Sequence, residues 1–437
     1  MAGGQKRSAE GATMLCRYPR PLGRSQSVSP MASPAPLDRH HRPLGVLRLS
    51  LTARCNLACP YCLPDGQEPA GLLSLAERLL LVETAVQLGV HTLRLTGGEP
   101  LLHGDLEALI RALSPLRQRP QGDRRGVLRQ IALTTNGTLL SAERARSLRQ
   151  AGLERITLSL DGADGASVAR MAGLAPSAGP PAAEDDTHSA RGEALLARVL
   201  AAIEHARAAG FDPAAGELKL NAVITRHGNA DQLLPLAALA RQRGLELRLI
   251  EYMDVGNRNG WEPAQVIAAA EMVARIGERW PLEPLGRDCH GTASRWRYRD
   301  GGGLLAAIAS ISAPFCGDCN RLRITADGVA YSCLFAASGT DLRPWLRPRP
   351  DRDGLLAALG SLWRQRDDRY SEERSRSAEA AMAPIAGLAS VATADSRLTA
   401  EPQATADIEA APDANGNPGS MAAASPPAHA EMAYLGG

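Results

Sequence analysis

Cys55-Asn56-Leu57-Ala58-Cys59-Pro60-Tyr61-Cys62 follows directly on the strand-like run Val46 to Thr52. Thiolates spaced C-x-x-x-C-x-x-C on a loop leaving a strand can converge on one metal centre. Three of them leave a tetrahedral zinc ion or a four-iron cube one ligand short. A structural zinc site ordinarily closes with four protein ligands, whereas an iron-sulfur cluster with one free iron can hold a substrate or cofactor there. A zinc knuckle and unconnected core cysteines are the competing readings.

Outward from this loop, a strand-like run followed by an amphipathic helical pattern repeats six times between Val46 and about residue 278. The strands read Val46 to Thr52, Thr92 to Thr96, Gln130 to Thr134, Arg155 to Leu160, Leu218 to Ile224 and Glu246 to Glu251. Short apolar or β-branched runs alternating with helices are the grammar of βαβ units in a parallel sheet. The first helix is well signposted: Ser74 and Glu77 form a capping box and Gly89 supplies the stop. Six units fall short of a closed eight-fold barrel. The predicted class is therefore α/β, an open partial (β/α)6 barrel of TIM type with a C-terminal extension, and its chemistry should collect at the C-terminal ends of the strands.

The unusual residues do follow strands. Gly97-Gly98-Glu99-Pro100 comes after the second, Thr134-Thr135-Asn136-Gly137 after the third, Ser159-Leu160-Asp161 ends the fourth, and Asn221 lies in the fifth. The paired glycines permit positive φ and close approach of a ligand, while Glu99 offers a carboxylate.

A chain of 437 residues is long enough for two domains and a sizeable core. A net charge of +2, from 49 basic against 47 acidic residues, gives no global case for nucleic acid or membrane. Of eight cysteines, six fall into two tight triplets, which suits metal sites in a reducing compartment better than disulfides. No run of about 18 apolar residues marks a transmembrane helix. The expected location is cytoplasmic, with an organellar transit peptide in the Arg- and Ser-rich N-terminus as the alternative. The predicted divisions are a disordered extension over 1–42, a barrel over 43–278 with a disordered insertion about 174–190, a cluster domain over 279–375, and a disordered tail over 376–437.

A second triplet lies in Phe315-Cys316-Gly317-Asp318-Cys319-Asn320-Arg321-Leu322-Arg323, completed by Cys333. Again a fourth ligand is absent. A zinc ribbon closed by Cys289 or His290 is the structural reading. Two arginines alternating after the second cysteine suit an anionic ligand beside a cluster.

The first triplet, with Tyr61 before its last cysteine, resembles the signature of the radical S-adenosylmethionine (SAM) superfamily, and Thr96 to Pro100 resembles its element for the methionine amino group. Over roughly residues 44 to 375 the chain is similar to the GTP 3′,8-cyclase family of molybdenum cofactor biosynthesis. The similarity is carried by both triplets, Leu249 to Trp261, Cys319 to Arg323, Asp368 to Glu372 and the terminal Gly436-Gly437. It implies two [4Fe-4S] clusters, one on Cys55, Cys59 and Cys62 that chelates SAM, and one on Cys316, Cys319 and Cys333 that binds the guanine base. One-electron reduction would release a 5′-deoxyadenosyl radical that removes the ribose C3′ hydrogen of GTP, and the substrate radical would attack C8. By motif position, the SAM contacts are Tyr61, Gly98, Thr135, Ser159 and Met253. The GTP contacts are Arg48, Arg94, Lys219, Arg248, Arg321 and Arg323, with Gly436 and Gly437 as a tail reaching the active site. The implied partners are GTP, a one-electron reductase, and a downstream cyclic pyranopterin monophosphate synthase, with room for a homodimer. Two departures concern the phosphate contacts: Thr92 stands where the family often has lysine, and His103 where it often has arginine. The rival readings are a radical SAM peptide maturase with an auxiliary cluster and a non-enzymatic zinc-binding scaffold.

Overall fold

The computed structural model describes residues 35–63, 67–119, 126–174, 185–255 and 259–374. Six parallel strands alternate with helices: β1 (Val46–Ser50), β2 (Thr92–Thr96), β3 (Gln130–Thr135), β4 (Arg155–Ser159), β5 (Leu218–Ile224) and β6 (Glu246–Glu251). Each starts at the residue predicted, and the ends differ by at most two. The C-terminal region adds β7 (Leu282–Arg287), β8 (Ser294–Tyr298), β9 (Leu304–Ile308), β10 (Arg321–Ile324), β11 (Val329–Tyr331) and β12 (Thr340–Asp341).

All twelve strands form one sheet in the order β12-β11-β10-β1-β2-β3-β4-β5-β6-β9-β8-β7. β10 joins β1 and β9 joins β6 in parallel, and the outermost pairings are antiparallel. The sheet is open, as predicted. The C-terminal region is not a module beside the barrel, because β9 and β10 extend both edges of the six-stranded core. The apolar residues on the outer pleat, such as Leu47, Leu49, Leu93, Leu95, Ile156 and Leu220, are buried in a single continuous core under the helices. That leaves the opposite pleat positions of each strand facing inward. No helix among the described residues is long and apolar enough to cross a membrane.

The first helix, α1 (Leu75–Gln87), has the capping box that the sequence announces. Glu77 N–H donates to Ser74 Oγ at 3.3 Å and Ser74 N–H to Glu77 Oε2 at 2.7 Å. Arg347 also grips Glu77, at 2.6 and 3.0 Å. Ser74→Ala is expected to cost about 1 kcal/mol, read as a fall of about 2 °C in the thermal midpoint, with no change in iron content.

Two predicted divisions change. Residues 35–42 belong to the folded body: Leu37 bridges Pro43, and Asp38 and Arg42 are almost fully buried. The reason is ion pairing, which a reading of low hydrophobicity misses. Of the insertion about 174–190, residues 185–190 begin the long helix Asp185–Ala208, and 175–184 lie outside the described residues. The predicted tail over 376–437, with Gly436 and Gly437, also lies outside them, as does most of the predicted N-terminal extension.

Candidate active site

The inward pleat and the strand register build the site. Pairing across β10, β1 and β2 puts Arg323 level with Arg48 and Arg48 level with Arg94. Across β4, β5 and β6, Ser159, Asn221 and Arg248 share another row. A sequence spacing of two on each strand therefore becomes a lateral row of cations in three dimensions.

At the C-terminal ends of the strands, Cys55, Cys59 and Cys62 face a cavity together with Tyr61, Gly98, Thr135, Ser159, Asp161 and Met253. All five predicted SAM contacts are among its lining residues. The cysteine loop is held by backbone bonds from Cys62 N–H and Leu63 N–H to Cys59 O, both 2.9 Å. Leu57 N–H and the Asn136 amide reach Cys55 Sγ at 3.5 and 3.8 Å. Burial, then Asp161 and the other two sulfurs, push the Cys59 thiol well above its ordinary value. Tyr61 donates its hydroxyl to Asp161 at 2.7 Å, and burial lifts that carboxyl to about 6.

The Gly-Gly-Glu stretch has a role its sequence did not disclose. Gly98 N–H donates to Thr52 O and Glu99 N–H to Arg54 O, both 2.8 Å, so the stretch runs flush against the start of the cysteine loop. A Cβ on Gly98 would stand 2.2 Å from Arg54 O. Glu99 turns away from the cavity, almost fully buried, and accepts from Thr135 Oγ1, Asn136 N–H and Leu101 N–H at 2.6, 2.8 and 2.9 Å. Its carboxylate locks the loop after β2 to the loop after β3.

Deeper in the lumen, Cys316, Cys319 and Cys333 face a second cavity with Arg48, Arg94, Arg248, Arg321 and Arg323. The two cavities share Thr134, Asn221, Ile250 and Met253 as lining residues, so they meet. Among the described residues, Arg94 Nε, Asn221 Oδ1, and Arg323 Nε and Nη1 are buried without a hydrogen-bond partner. Burial and the neighbouring arginines hold Arg94 well below its usual range, Arg48 at about 9 and Arg323 at about 10. Crowded, desolvated guanidiniums of one sign are stable only with an anion among them. Burial alone would push the Cys319 thiol up, but Arg321, Arg366 and Arg323 outweigh it and bring it down to about 6. Val255, Leu334 and Phe335 form a small apolar cluster against Cys62, Cys333 and Met253, with Phe335 stacked on Tyr370 at 4.7 Å. This apolar wall touches a cysteine of each triplet.

Lys219 is not brought in. It lines neither cavity and pairs with Glu246 at 2.8 Å, while Glu246 also holds Arg248. Thr92 lines the opening at the N-terminal ends of the strands, beside Arg94 and Arg155. His103 sits against Arg78 at 2.8 Å and lines neither cavity, nor that opening. Cys289 and His290 group with Asp318, their ligand atoms within 4.8 Å, and neither lines the cavity of the second triplet. Sequence reasoning missed Arg155, Arg366 and Phe335. Arg155 opens a strand rather than following one, Arg366 precedes the Asp368 to Glu372 segment, and Phe335 stands two residues after Cys333.

The donor sets fit iron-sulfur clusters. All six cysteines are free thiols, each triplet faces a cavity, and each leaves room for a ligand that is not a protein side chain.

Residues 49–240 match the family described as the radical SAM superfamily, and residues 245–372 match Molybdenum Cofactor Synthesis C. A GTP 3′,8-cyclase of Synechococcus sp. (strain CC9902) is 60% identical over 78% of this chain and 93% of its own. That of Parasynechococcus marenigrum (strain WH8102) is 61% identical over 78% and 94%. One from Xanthomonas campestris pv. campestris (strain B100) is 43% identical over 80% and 96%. Among solved structures, Streptococcus suis SuiB bound to S-adenosylmethionine is 15% identical over 77% of this chain and 69% of that one, with a TM-score of 0.49. The chain belongs to the GTP 3′,8-cyclase family of the radical SAM superfamily.

Proposed function

We propose that this protein is a GTP 3′,8-cyclase: it removes the C3′ hydrogen of GTP by radical chemistry and joins C3′ to guanine C8. The observation that carries this reading is the pair of three-thiol sets, which face two cavities that meet at Asn221 and Met253, with the arginine rows in the inner one. Cys55, Cys59 and Cys62 would hold the cluster that binds SAM, and Cys316, Cys319 and Cys333 a second. Bound there, the first cluster would supply one-electron reductive chemistry toward SAM, the source of the radical reactivity.

The chain's own residues do the rest. Arg48, Arg94, Arg321 and Arg323 offer the triphosphate planar donors with their desolvation already paid, so binding relieves their mutual repulsion. Arg248 shares its charge with Glu246 and is the weaker contact. Thr134, Asn221, Ile250 and Met253 line both cavities and would hold the reacting carbon against the radical source. The wall of Val255, Leu334 and Phe335 keeps water and stray hydrogen donors away from that junction. A one-electron reductase supplies the first step, and an enzyme that rearranges the cyclised nucleotide consumes the product. Gly436 and Gly437 are proposed to reach the site as a flexible tail.

The test is anaerobic reconstitution with SAM, reductant and GTP, read as GTP-dependent 5′-deoxyadenosine. Product with a peptide and none with GTP would favour a maturase instead. Colourless protein carrying zinc, folded without iron, would favour a scaffold. Arg323→Ala is expected to raise the KM for GTP by about 100-fold with the iron content unchanged; loss of iron instead would make that arginine structural.

A further inference from the structure

The second cysteine loop is gripped from behind by a buried ion cluster that spans the two ends of the described chain. Asp38 has a fully buried carboxylate, and its partners Arg42 and Arg366 are 2% and 1% exposed at the side chain. Arg42 Nε and Arg366 Nη1 both reach Asp38 Oδ2. Arg366 Nε donates to Asp368 Oδ2 at 3.3 Å, and the other contacts run to backbone carbonyls. Arg42 Nη1 donates to the carbonyl of Cys316 at 2.6 Å and to that of Asp368 at 3.0 Å. Arg366 Nη1 donates to the carbonyl of Cys319 at 2.6 Å. Trp363 braces the cluster from below, its indole N–H on Arg42 O at 3.0 Å and its ring under the Arg366 guanidinium at 4.8 Å.

Two buried guanidiniums thus end on the backbone of two of the three thiols, balanced by the Asp38 carboxylate that they share and by Asp368 on Arg366. Asp38 and Arg42 lie outside the cavity where the purine would sit, whereas Arg366 and Asp368 line its wall. A staple that served only stability would gain nothing from charge at this point, since a buried ion pair is weak evidence for stability and an apolar replacement is often as good. Its position suits a different task. Net charge and hydrogen bonding around the ligands set the potential and ligand affinity of an iron-sulfur cluster.

We infer that Asp38, Arg42 and Arg366 are positioning residues for the second cluster: the two arginines fix the Cys316 and Cys319 carbonyls and bias the site positive, and Asp38 limits that bias. The inference rests on the reading of Cys316, Cys319 and Cys333 as cluster ligands. It gives residues 35–42 a purpose in the site although they lie outside both cavities.

The sign of the effect separates this role from mere packing. Asp38→Asn keeps the side-chain shape and removes a negative charge, so the reduced, more negative cluster is stabilised and the reduction potential shifts upward. Arg366→Gln removes a positive charge and shifts it downward, and Arg366→Lys restores it toward the parent value. The experiment uses the full chain with Cys55, Cys59 and Cys62 all replaced by alanine, so that only the second triplet can hold iron. The variants are reconstituted anaerobically, checked by circular dichroism, assayed for iron, and titrated with dithionite and mediators under electron paramagnetic resonance. Opposite shifts for Asp38→Asn and Arg366→Gln support the inference. Should Asp38→Asn not fold, a downward shift for Arg366→Gln that Arg366→Lys recovers supports it alone. Unmoved potentials with iron in place, or shifts of both variants in the same direction, overturn it. Absence of iron from the triple-alanine parent defeats the second-cluster reading, and the inference with it.

Discussion

Cys59→Ala protein, reconstituted without oxygen, is expected to lose about half of its iron, one cube of about four atoms, and all detectable 5′-deoxyadenosine. The other half of the iron stays, because Cys316, Cys319 and Cys333 are fixed by β10 and β11 at the edge of the sheet and share no ligand with the first loop. GTP should still bind, since the arginine rows lie on β1, β2, β6 and β10 rather than on the Cys55 loop. Cys333→Ala gives the converse: the SAM site is kept, and GTP-dependent turnover is lost. The measurements are iron per chain, 5′-deoxyadenosine by chromatography, and GTP binding by equilibrium dialysis. Retention of full 5′-deoxyadenosine formation by Cys59→Ala would remove the first triplet from the chemistry. Serine at the same position is a harder test, because a hydroxyl can retain a weakened cluster.

Gly98→Ala is expected to lower turnover by about 100-fold, the cost of a 1 Å misplacement at a reacting centre. The methyl group would be driven to 2.2 Å from Arg54 O and 2.7 Å from Ala53 O, and backbone rather than a flexible side-chain end must yield. The segment that moves leads straight into Cys55. Gly97 adjoins the same segment, with φ +153° and a Cβ that would meet Thr52 O at 2.5 Å, so the pair acts as one close contact. The expected signature is a fall in kcat together with loosened iron at the first triplet, while the second cluster's signal is unchanged. An alanine variant with normal turnover would show that this loop tolerates displacement.

The Glu99 carboxylate illustrates how position redirects a motif. Read along the chain, Gly97-Gly98-Glu99-Pro100 presents an acid to a ligand. In the fold its three hydrogen bonds to Thr135, Asn136 and Leu101 are already filled by protein. The glycines make the contact that matters, and the acid ties two strand-end loops together. Lys219 shows the same effect for a cation: it lies on the predicted strand, but Glu246 one strand over takes its charge.

The sequence by itself determined the six-unit open sheet and both thiol triplets, because each is written in local spacing, whereas the arginines Arg48, Arg94 and Arg248 came only from likeness to the family. A period of two sets the pleat, glycines and prolines set the turns, and a fixed number of residues between thiols sets their reach. What only the tertiary structure decided is what lies level with what. Arg48, Arg94 and Arg323 become one row only through strand register, and residues 279–374 extend the barrel rather than standing beside it because β9 pairs with β6 and β10 with β1, the latter across more than 200 residues of chain. Asp38 reads alone as part of a polar leader. It becomes a buried carboxylate because Arg42 and Arg366, remote from each other in sequence, converge on it behind the second cysteine loop. Charge pairing across such distances leaves no period in the chain to read; it exists only once the backbone has brought the partners within hydrogen-bond reach.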